Sequence, residues 1–283
     1  MNAAVHAVDV LRVGPEAGAR GRDVAATEEP LEIRLGGATF VVIMRTPGAD
    51  RELAAGFLLA ERIVCDRSEI SAIRPCTDDI DPDGAQPEPS GPDAGNVINV
   101  WLAGAAVDRA AARLSDRRHV TANSSCGVCG RRSIDDLLEG IQPVVSSLTV
   151  RRDVIAALPD RLRAAQQVFD VTGGLHAAGL FDREGRLLRV AEDVGRHNAV
   201  DKVLGAELLA GGVPLTDRLL FVSGRTSFEI VQKAVVASVP IVASVSAPSS
   251  LAIALALEAR MTLLGFVRGP SFNIYTSAER IAL

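Results

Sequence analysis

The chain has 283 residues, of which 48% are hydrophobic and 23% are charged, a composition typical of a soluble globular protein with a substantial core. Its formal net charge of -5 gives no general reason to expect binding to nucleic acid or to a membrane surface. Between Asp78 and Gly95 the sequence carries six acidic residues and no Lys or Arg, so this segment accounts for the negative charge. The rest of the chain is therefore nearly neutral, which is compatible with a local basic pocket that binds phosphate.

The four cysteines, at positions 65, 76, 126 and 129, are too few for a disulfide scaffold at this length and fit reducing surroundings. The first residues lack the basic and apolar regions of a signal peptide. The longest apolar runs, at 235–245 and 251–257, are interrupted and too short to span a membrane. We therefore expect a cytoplasmic protein with no membrane segment.

The first 26 residues show no sustained hydrophobic periodicity and are predicted to be a mobile leader. Alternation at 31–35, a Gly-Gly pair and an apolar run at 40–44 then predict a β-hairpin. Asp50 is predicted to be the N-cap of an amphipathic helix. These elements open a smaller N-terminal α+β domain, which we expect to cover residues 27–118.

The same domain is interrupted at 78–95 by an Asp-, Pro- and Gly-rich tract that cannot bury apolar surface. We predict that this acidic insertion is disordered and lies between adjacent strands. Strand character resumes at Asn96, and residues 107–114 are predicted to form a short helix.

A loop with two closely spaced thiols follows, within a predicted segment of loop and helix at 119–149. Residues 121–132 read T-A-N-S-S-C-G-V-C-G-R-R, which places Cys126 and Cys129 three positions apart between glycines. Only the thiolate is nucleophilic, and its pKa falls near cations such as Arg131 and Arg132 or near a helix N-terminus. We interpret this CxxC loop as reactive and mobile.

The residues alone leave other uses of the pair open. The two thiols would make half of a structural zinc site, although a closed site needs four ligands and Cys65 and Cys76 lack the usual pairing. A thioredoxin-type enzyme is less favoured, because the CxxC does not follow the first strand of a βαβ unit. Zinc binding, redox chemistry and sulfur chemistry therefore all remain candidates at this stage.

Residues 150–283 alternate between helical and strand patterns, which predicts an α/β layer architecture. The predicted helices are 154–169, the second half of 192–205, 227–237 and 249–258, and the predicted strands are 176–181, 186–191, 218–225, 241–246, 261–268 and 272–276.

Five motifs in this order resemble the FdhD family of formate dehydrogenase accessory sulfurtransferases: S-S-C-G-V-C-G, T-G-G-L-H-A-A, E-D-V-G-R-H-N-A-V-D-K, S-G-R-T-S-F-E-I-V-Q-K and G-F-V-R-G-P-S-F-N-I-Y-T. The resemblance covers the chain from about Glu28 to the end. It implies a cytoplasmic homodimer with a cytidine-deaminase-like C-terminal domain, and a cysteine desulfurase and formate dehydrogenase as partners. It also implies transfer of persulfide sulfur to the molybdenum (or tungsten) bis-guanine dinucleotide cofactor.

The same resemblance implies the site residues. Cys126 would carry the persulfide and Cys129 would assist it, in keeping with thiolate exchange at sulfur. The residues implied to bind the guanine dinucleotide, or GDP-like nucleotides in the same pocket, are Phe266, Val267, Arg268, Gly269, Pro270, Ser271, Thr172, Gly173, Gly174, Ser223, Gly224 and Arg225. Arg can fork onto phosphate, and Gly lets backbone N–H groups approach it.

A zinc deaminase needs H-x-E or C-x-E followed by P-C-x-x-C. Here His176 is followed by Ala177 and Ala178, so Ala stands where the catalytic Glu would be, and the CxxC lies upstream. We therefore exclude deamination and keep the fold prediction, with no metal assigned. The second hypothesis is a non-catalytic chaperone for the cofactor whose cysteines hold zinc.

Some residues in the motifs have an ordinary structural interpretation as well. His176 and His197 are candidates for the site or for hydrogen-bonded core positions. Glu192, Asp193 and Asp201 could equally cap or flank a helix.

Overall fold

The computed structural model of the protein describes residues 3–15, 18–75, 95–117 and 142–283. Its strands are β1 Val5–Val13, β2 Gly18–Ala26, β3 Glu29–Leu35, β4 Ala38–Arg45, β5 Ile70–Pro75, β6 Val97–Leu102, β7 Val150–Arg151, β8 His176–Phe181, β9 Leu187–Asp193, β10 Leu219–Val222, β11 Ile241–Ser244, β12 Thr262–Arg268, β13 Ser271–Thr276 and β14 Ile281–Ala282. Its α-helices are α1 Asp50–Ala60, α2 Ala105–Arg117, α3 Arg152–Arg163, α4 Gln167–Thr172, α5 Arg196–Leu209, α6 Phe228–Val236 and α7 Ser250–Glu258.

The larger sheet has six strands in the order β13-β12-β11-β10-β8-β9. Strands β10, β11 and β12 are parallel, whereas β8, β9 and β13 are antiparallel to their neighbours. Successive residues of β8 face opposite sides. Ala177 and Phe181 pack with α3, and Ala178 and Leu180 pack with α5, α6 and α7. Helices therefore cover both faces, which confirms the predicted α/β architecture of this part of the chain.

A smaller sheet of four strands, in the order β4-β3-β6-β5, forms the N-terminal part. The hairpin of β3 and β4 turns at Gly36 and Gly37, whose φ angles of 56° and 90° favour glycine, and this confirms the predicted hairpin. Strands β5 and β6 are paired neighbours, as predicted for the strands that flank the acidic insertion. The insertion predicted at 78–95 itself lies almost entirely outside the described residues.

One apolar core joins the two sheets. Leu31 of β3 and Leu53 and Leu58 of α1 belong to the same buried cluster as Val203 of α5 and Leu220 of β10. Helix α1 therefore packs between the smaller sheet and α5, and α5 covers one face of the larger sheet.

Residues 5–13 and 18–26 form two paired antiparallel strands, whereas the sequence predicts a mobile leader there. Strands β1 and β2 pair in register from Val5 opposite Ala26 to Val13 opposite Gly18. Valines recur along β1 and favour extended backbone, but most side chains of both strands stay exposed, which is why the segment shows no core-facing periodicity. The hairpin is held at its base, where the Thr27 amide donates to the Ala4 carbonyl at 3.0 Å.

Two helix boundaries also differ from the sequence prediction. Ala49, in a left-handed conformation, is the N-cap of α1, and the Asp50 carboxylate instead accepts hydrogen bonds from Arg45 at 3.0 and 3.1 Å. The helix predicted over 154–169 is two helices, α3 and α4. The break occurs because the Glu192 carboxylate accepts the amides of Val168 and Phe169, at 2.9 and 2.8 Å, and so starts a new helix.

Candidate functional site

A cavity of about 540 Å³ lies between α3, α4 and one edge of the larger sheet. Its lining includes His176, the first residue of β8, together with Ser223 after β10 and Val245 after β11. Strands β10 and β11 are parallel, so the cavity lies outside their carboxyl ends. Open α/β sheets bind ligands at such a position.

The fold brings two of the predicted motifs to this cavity and places the third beside it. Gly173 and Gly174 line it after the end of α4, and Ser223 lines it after β10. Arg268 of the C-terminal motif donates from Nε to the carbonyl of Val245 at 3.3 Å. These segments are far apart in the sequence, and their convergence identifies the cavity as the candidate binding site.

Three of the predicted residues also have structural roles. Gly173 caps the C-terminus of α4 with a φ of 65°. The Thr172 hydroxyl donates to the Val168 carbonyl at 2.8 Å. Ser223 Oγ accepts the amide of Ala177 at 2.8 Å, so this hydroxyl fixes β8 against the end of β10.

The turn at 266–271 is an irregular junction between β12 and β13. Phe266 has a φ of 54°, which is strained for an aromatic residue, and the pairing register shifts between Gly265 and Arg268. The Arg268 guanidinium lies 5.7 Å from the Phe266 ring centroid. Val267 is fully buried in the core, so its side chain is directed away from any ligand. The predicted residues Gly269, Pro270 and Ser271 are exposed.

Positive charge gathers beside His176 at the edge of the cavity. A Cβ on Gly224 would lie 3.3 Å from His176 Nδ1 and 3.9 Å from Arg196 Cδ, so the three residues adjoin. Burial lowers the pKa of the His176 imidazole below its ordinary value, and the charges of Arg196, His197 and Arg225 lower it further. Within the described part of the chain, neither Arg196 nor Arg225 forms an ion pair with a carboxylate. The arrangement suits an anionic ligand.

A second polar cluster connects the start of α5 with the start of α6. His197 Nε2 lies 3.0 Å from Ser227 Oγ and 3.5 Å from a carboxylate oxygen of Glu229. Burial opposes ionisation of Glu229, but hydrogen bonds from His197 and Ser227 outweigh it and lower its pKa to about 2. Ser227 and Glu229 both contact Nε2 of the His197 ring. In a hydrolase triad the serine and the carboxylate contact opposite ring nitrogens, so this cluster orients His197 and is not a triad.

The acidic residues of the E-D-V-G-R-H-N-A-V-D-K motif make contacts that stabilise the fold. Asp193 is fully buried, pairs with Lys202 at 2.7 Å, and accepts the amide of Thr46 at 3.1 Å. Lys202 donates to the Thr46 carbonyl at 2.8 Å. This cluster joins the end of β4 to the start of α5.

Asp201 is also buried, and it forms two hydrogen bonds with Lys233 of α6, at 2.7 and 2.9 Å. Complete burial raises the pKa of the Asp201 carboxyl, and the Lys233 ammonium opposes this change. Glu192 likewise binds the first free amides of α4. Glu192, Asp193 and Asp201 therefore have structural roles next to helices, which is one of the two interpretations that the sequence allowed. Arg196 and His197 are the residues of this motif that lie near the cavity.

No sequence motif marks the wall of the cavity formed by α3 and α4. Asp160, Arg163, Gln166 and Phe169 line this wall. Their spacing is that of ordinary helix residues, so no sequence signal marks them.

The CxxC loop, with Cys126 and Cys129, lies outside the described residues, as does Cys76. Cys65 is exposed and its thiol is free. Its backbone amide donates a hydrogen bond to the Glu69 carboxylate at 2.7 Å.

A sequence model of the FdhD/NarQ family matches residues 26–282. The chain belongs to the FdhD/NarQ family. It is 46% identical over 277 residues to a protein from Streptomyces avermitilis, an alignment that covers 97% of this chain and 94% of the relative. It is 48% identical over 269 residues to one from Anaeromyxobacter dehalogenans, covering 93% of this chain and 90% of the relative. Both FdhD/NarQ relatives are named sulfur carrier protein FdhD.

The fold has a counterpart among solved structures. A crystal structure from Desulfotalea psychrophila, described as that of a formate dehydrogenase accessory protein, is similar with a TM-score of 0.74 and 25% identity. The match covers 99% of this chain and 100% of that one. Within the ranges that the structure describes, the helices of this FdhD/NarQ protein are all too short or too polar to cross a membrane.

Proposed function

We propose that this protein is a sulfur carrier, a sulfurtransferase that serves the maturation of formate dehydrogenase in the cytoplasm. Membership of the FdhD/NarQ family supports this function, as do the names of its relatives and the description of the solved structure. The CxxC pair supplies the chemistry. The Cys126 thiolate attacks the outer sulfur of a persulfide on a cysteine desulfurase, and the new S–S bond forms as the donor thiolate leaves.

Cys129 provides a second thiol three positions away, so that sulfur can be passed on or the persulfide resolved. The substrate that receives the sulfur is the molybdenum (or tungsten) bis-guanine dinucleotide cofactor, which is cargo for this protein. A homodimer would present two such carriers, and a mobile loop would let one thiol visit both the donor and the bound substrate.

The cavity is the part of the protein that we assign to the guanine dinucleotide, or to GDP-like nucleotides. The observation that carries this assignment is the convergence of Gly173, Gly174 and Ser223 at one cavity. Arg196 and Arg225 lie beside it without carboxylate partners among the described residues and would bind phosphate oxygens. We propose in addition that residues 150–283 form a deaminase-like domain after the smaller domain at 27–118 and the loop segment at 119–149.

Intact-mass spectrometry tests the carrier function. The protein is incubated with cysteine and a cysteine desulfurase, and its mass is measured under non-reducing conditions. We expect added sulfur on the wild type, its loss in Cys126→Ala, and its retention in Cys65→Ala, because Cys65 lies outside the CxxC. Stoichiometric zinc without added sulfur would overturn the carrier function in favour of a zinc-holding chaperone.

A further inference from the structure

Two turns beside the cavity each carry an arginine that has no carboxylate partner among the described residues. Arg196 is the first residue of α5, and Arg225 lies in the turn between β10 and α6. The Nε atom of Arg196 is buried and makes no hydrogen bond to a described residue. Burial lowers the pKa of the His176 imidazole and the charges of Arg196 and Arg225 lower it further, so both guanidinium groups lie within electrostatic range of the same ring.

One side chain connects these two turns. Cations without partners near the same imidazole repel one another, so the empty site needs a contact that keeps the turns together. His197 follows Arg196 in the chain, and its Nε2 atom lies 3.0 Å from Ser227 Oγ and 3.5 Å from a carboxylate oxygen of Glu229. Because Ser227 is two residues after Arg225, the histidine of the first turn contacts the second turn directly.

The directions of the hydrogen bonds in this contact follow from the groups involved. Ser227 donates its single hydroxyl hydrogen to Glu229. Although burial alone would raise the pKa of the Glu229 carboxyl, this bond and the one from His197 lower it to about 2. The Ser227 oxygen is then an acceptor towards the imidazole, so Nε2 of His197 carries a hydrogen. His197 therefore donates from Nε2 to acceptors on the opposite turn.

Each turn is also anchored at a second point. Thr226 is fully buried, and its backbone forms hydrogen bonds of 3.2 Å with Ala247 and 3.0 Å with Ser249. On the other turn, Asp193 Oδ1 accepts the amide of Gly195 at 2.7 Å. Both turns thus have a fixed base, and the histidine contact sets the separation of the ends that carry the arginines.

We propose that His197 is a positioning residue that holds Arg196 and Arg225 at the separation at which both guanidinium groups bind one diphosphate group. This inference rests on the proposed function, because the diphosphate belongs to the guanine dinucleotide assigned to the cavity. A guanidinium binds phosphate oxygens through parallel hydrogen bonds, so the relative position of two such groups matters as well as their charge. Groups that are held in place before the ligand arrives lose less conformational freedom when it binds.

Calorimetric titration of full-length variants with GDP tests the inference. Gln can place a donor where His has Nε2, whereas Asn is too short to reach Ser227. We therefore expect His197→Asn to weaken GDP binding about tenfold and His197→Gln to stay within about threefold of the wild type. His6→Asn is the matched control, because His6 is exposed on β1, and it should bind GDP as the wild type does.

A double-mutant cycle separates positioning from a general structural role. In Arg225→Ala only one of the two arginines remains, so their separation no longer matters. His197→Asn should then weaken GDP binding by less than about twofold relative to Arg225→Ala alone. Ser227→Ala provides a second route, because it removes the closer acceptor and because the Ser227 side chain does not cap α6. It should weaken GDP binding when Arg225 is present and not when Arg225 is replaced.

Equal GDP affinities of the wild type, His197→Asn and Ser227→Ala would overturn the inference. A loss that is as large in the Arg225→Ala background would overturn it as well, because the histidine would then act on the fold and not through the arginines. Both results leave the cavity assignment standing, since the wild type still binds GDP. Absence of GDP binding to the wild type would overturn the cavity assignment and this inference together, whereas sulfur loading on Cys126 would be unaffected.

Discussion

The backbone of Gly56 in α1 lies directly against the carbonyl group of Asp201 in α5. A Cβ on Gly56 would lie 1.9 Å from that oxygen, and a Cβ on Gly205 would lie 1.9 Å from the carbonyl oxygen of Glu52. The two helices touch at these points because glycine has no side chain. Helix α5 begins with Arg196, so this contact between N-terminal and C-terminal elements also positions the cationic edge of the cavity.

Gly56→Ala should lower the free energy of unfolding by about 3 kcal/mol or more, because the new methyl group meets rigid backbone. The better helix propensity of Ala, worth about 1 kcal/mol, does not compensate. Urea denaturation measures the change. Gly95→Ala is the control, since a Cβ at Gly95 meets no atom of the described residues within 4 Å, and it should stay within about 0.5 kcal/mol of the wild type. Equal midpoints for Gly56→Ala and the wild type would refute the close contact.

Lys202→Met should destabilise the protein by about 3 to 5 kcal/mol, because it leaves the Asp193 carboxylate buried without its cation. The ion pair of Arg189 with Glu207 provides the comparison, since Arg189 is 47% exposed and the pair spans 2.8 Å. Arg189→Met should cost at most about 1 kcal/mol. Chemical denaturation of both variants at neutral pH checks this difference. Similar losses for the two substitutions would show that the buried cluster does not join β4 to α5.

Glu229→Gln should destabilise the protein at neutral pH and much less in acid. The folded pKa of Glu229, lowered from 4.5 to about 2, means that the ionised carboxylate stabilises the native state. That contribution, at most about 3 kcal/mol, is present above pH 4.5 and is lost as the pH falls towards 2. Unfolding of the wild type and the variant is compared at pH 7 and pH 3. A difference that grows on acidification would contradict the hydrogen bonds assigned to His197 and Ser227.

Gly174→Val should block the cavity without disturbing the fold. A Cβ at Gly174 would make an ordinary contact of 3.6 Å with Ala26, and the residue lines the cavity. We expect GDP binding to weaken at least tenfold while the free energy of unfolding changes by less than about 1 kcal/mol. Calorimetric titration and urea denaturation provide the two readings, with Gly95→Val as the control. Unchanged GDP affinity in a folded Gly174→Val protein would show that nucleotides bind elsewhere.

The sequence predicted those helices and strands whose pattern of apolar residues matches the residues that are buried in the structure. The strand at 176–181 and the helix at 249–258 follow from apolar runs and from Ser249, which caps α7. The convergence of T-G-G and S-G-R is consistent with both motifs standing at the ends of elements near the parallel strands β10 and β11. The hairpin of β1 and β2 was missed because its stability comes from pairing and not from a buried face.

Long-range polar contacts have no comparable sequence signal. The partners of Asp193 include Thr46, which lies 147 residues away, and the sequence cannot show which buried carboxylate meets which cation. The CxxC pair is different, because its spacing alone made zinc, redox and sulfur chemistry the candidates, and the neighbouring motifs then favoured sulfur transfer through the family resemblance.

Formate dehydrogenase activity in a bacterial strain that lacks its own member of this family tests the central claim most directly. The strain is complemented with the wild type, with the double variant Cys126→Ser and Cys129→Ser, or with Cys65→Ser, and expression is matched by immunoblot. Sulfur carriage by the CxxC pair predicts full activity for the wild type and for Cys65→Ser, and a loss of at least a hundredfold for the double variant. Full activity with the double variant would contradict it.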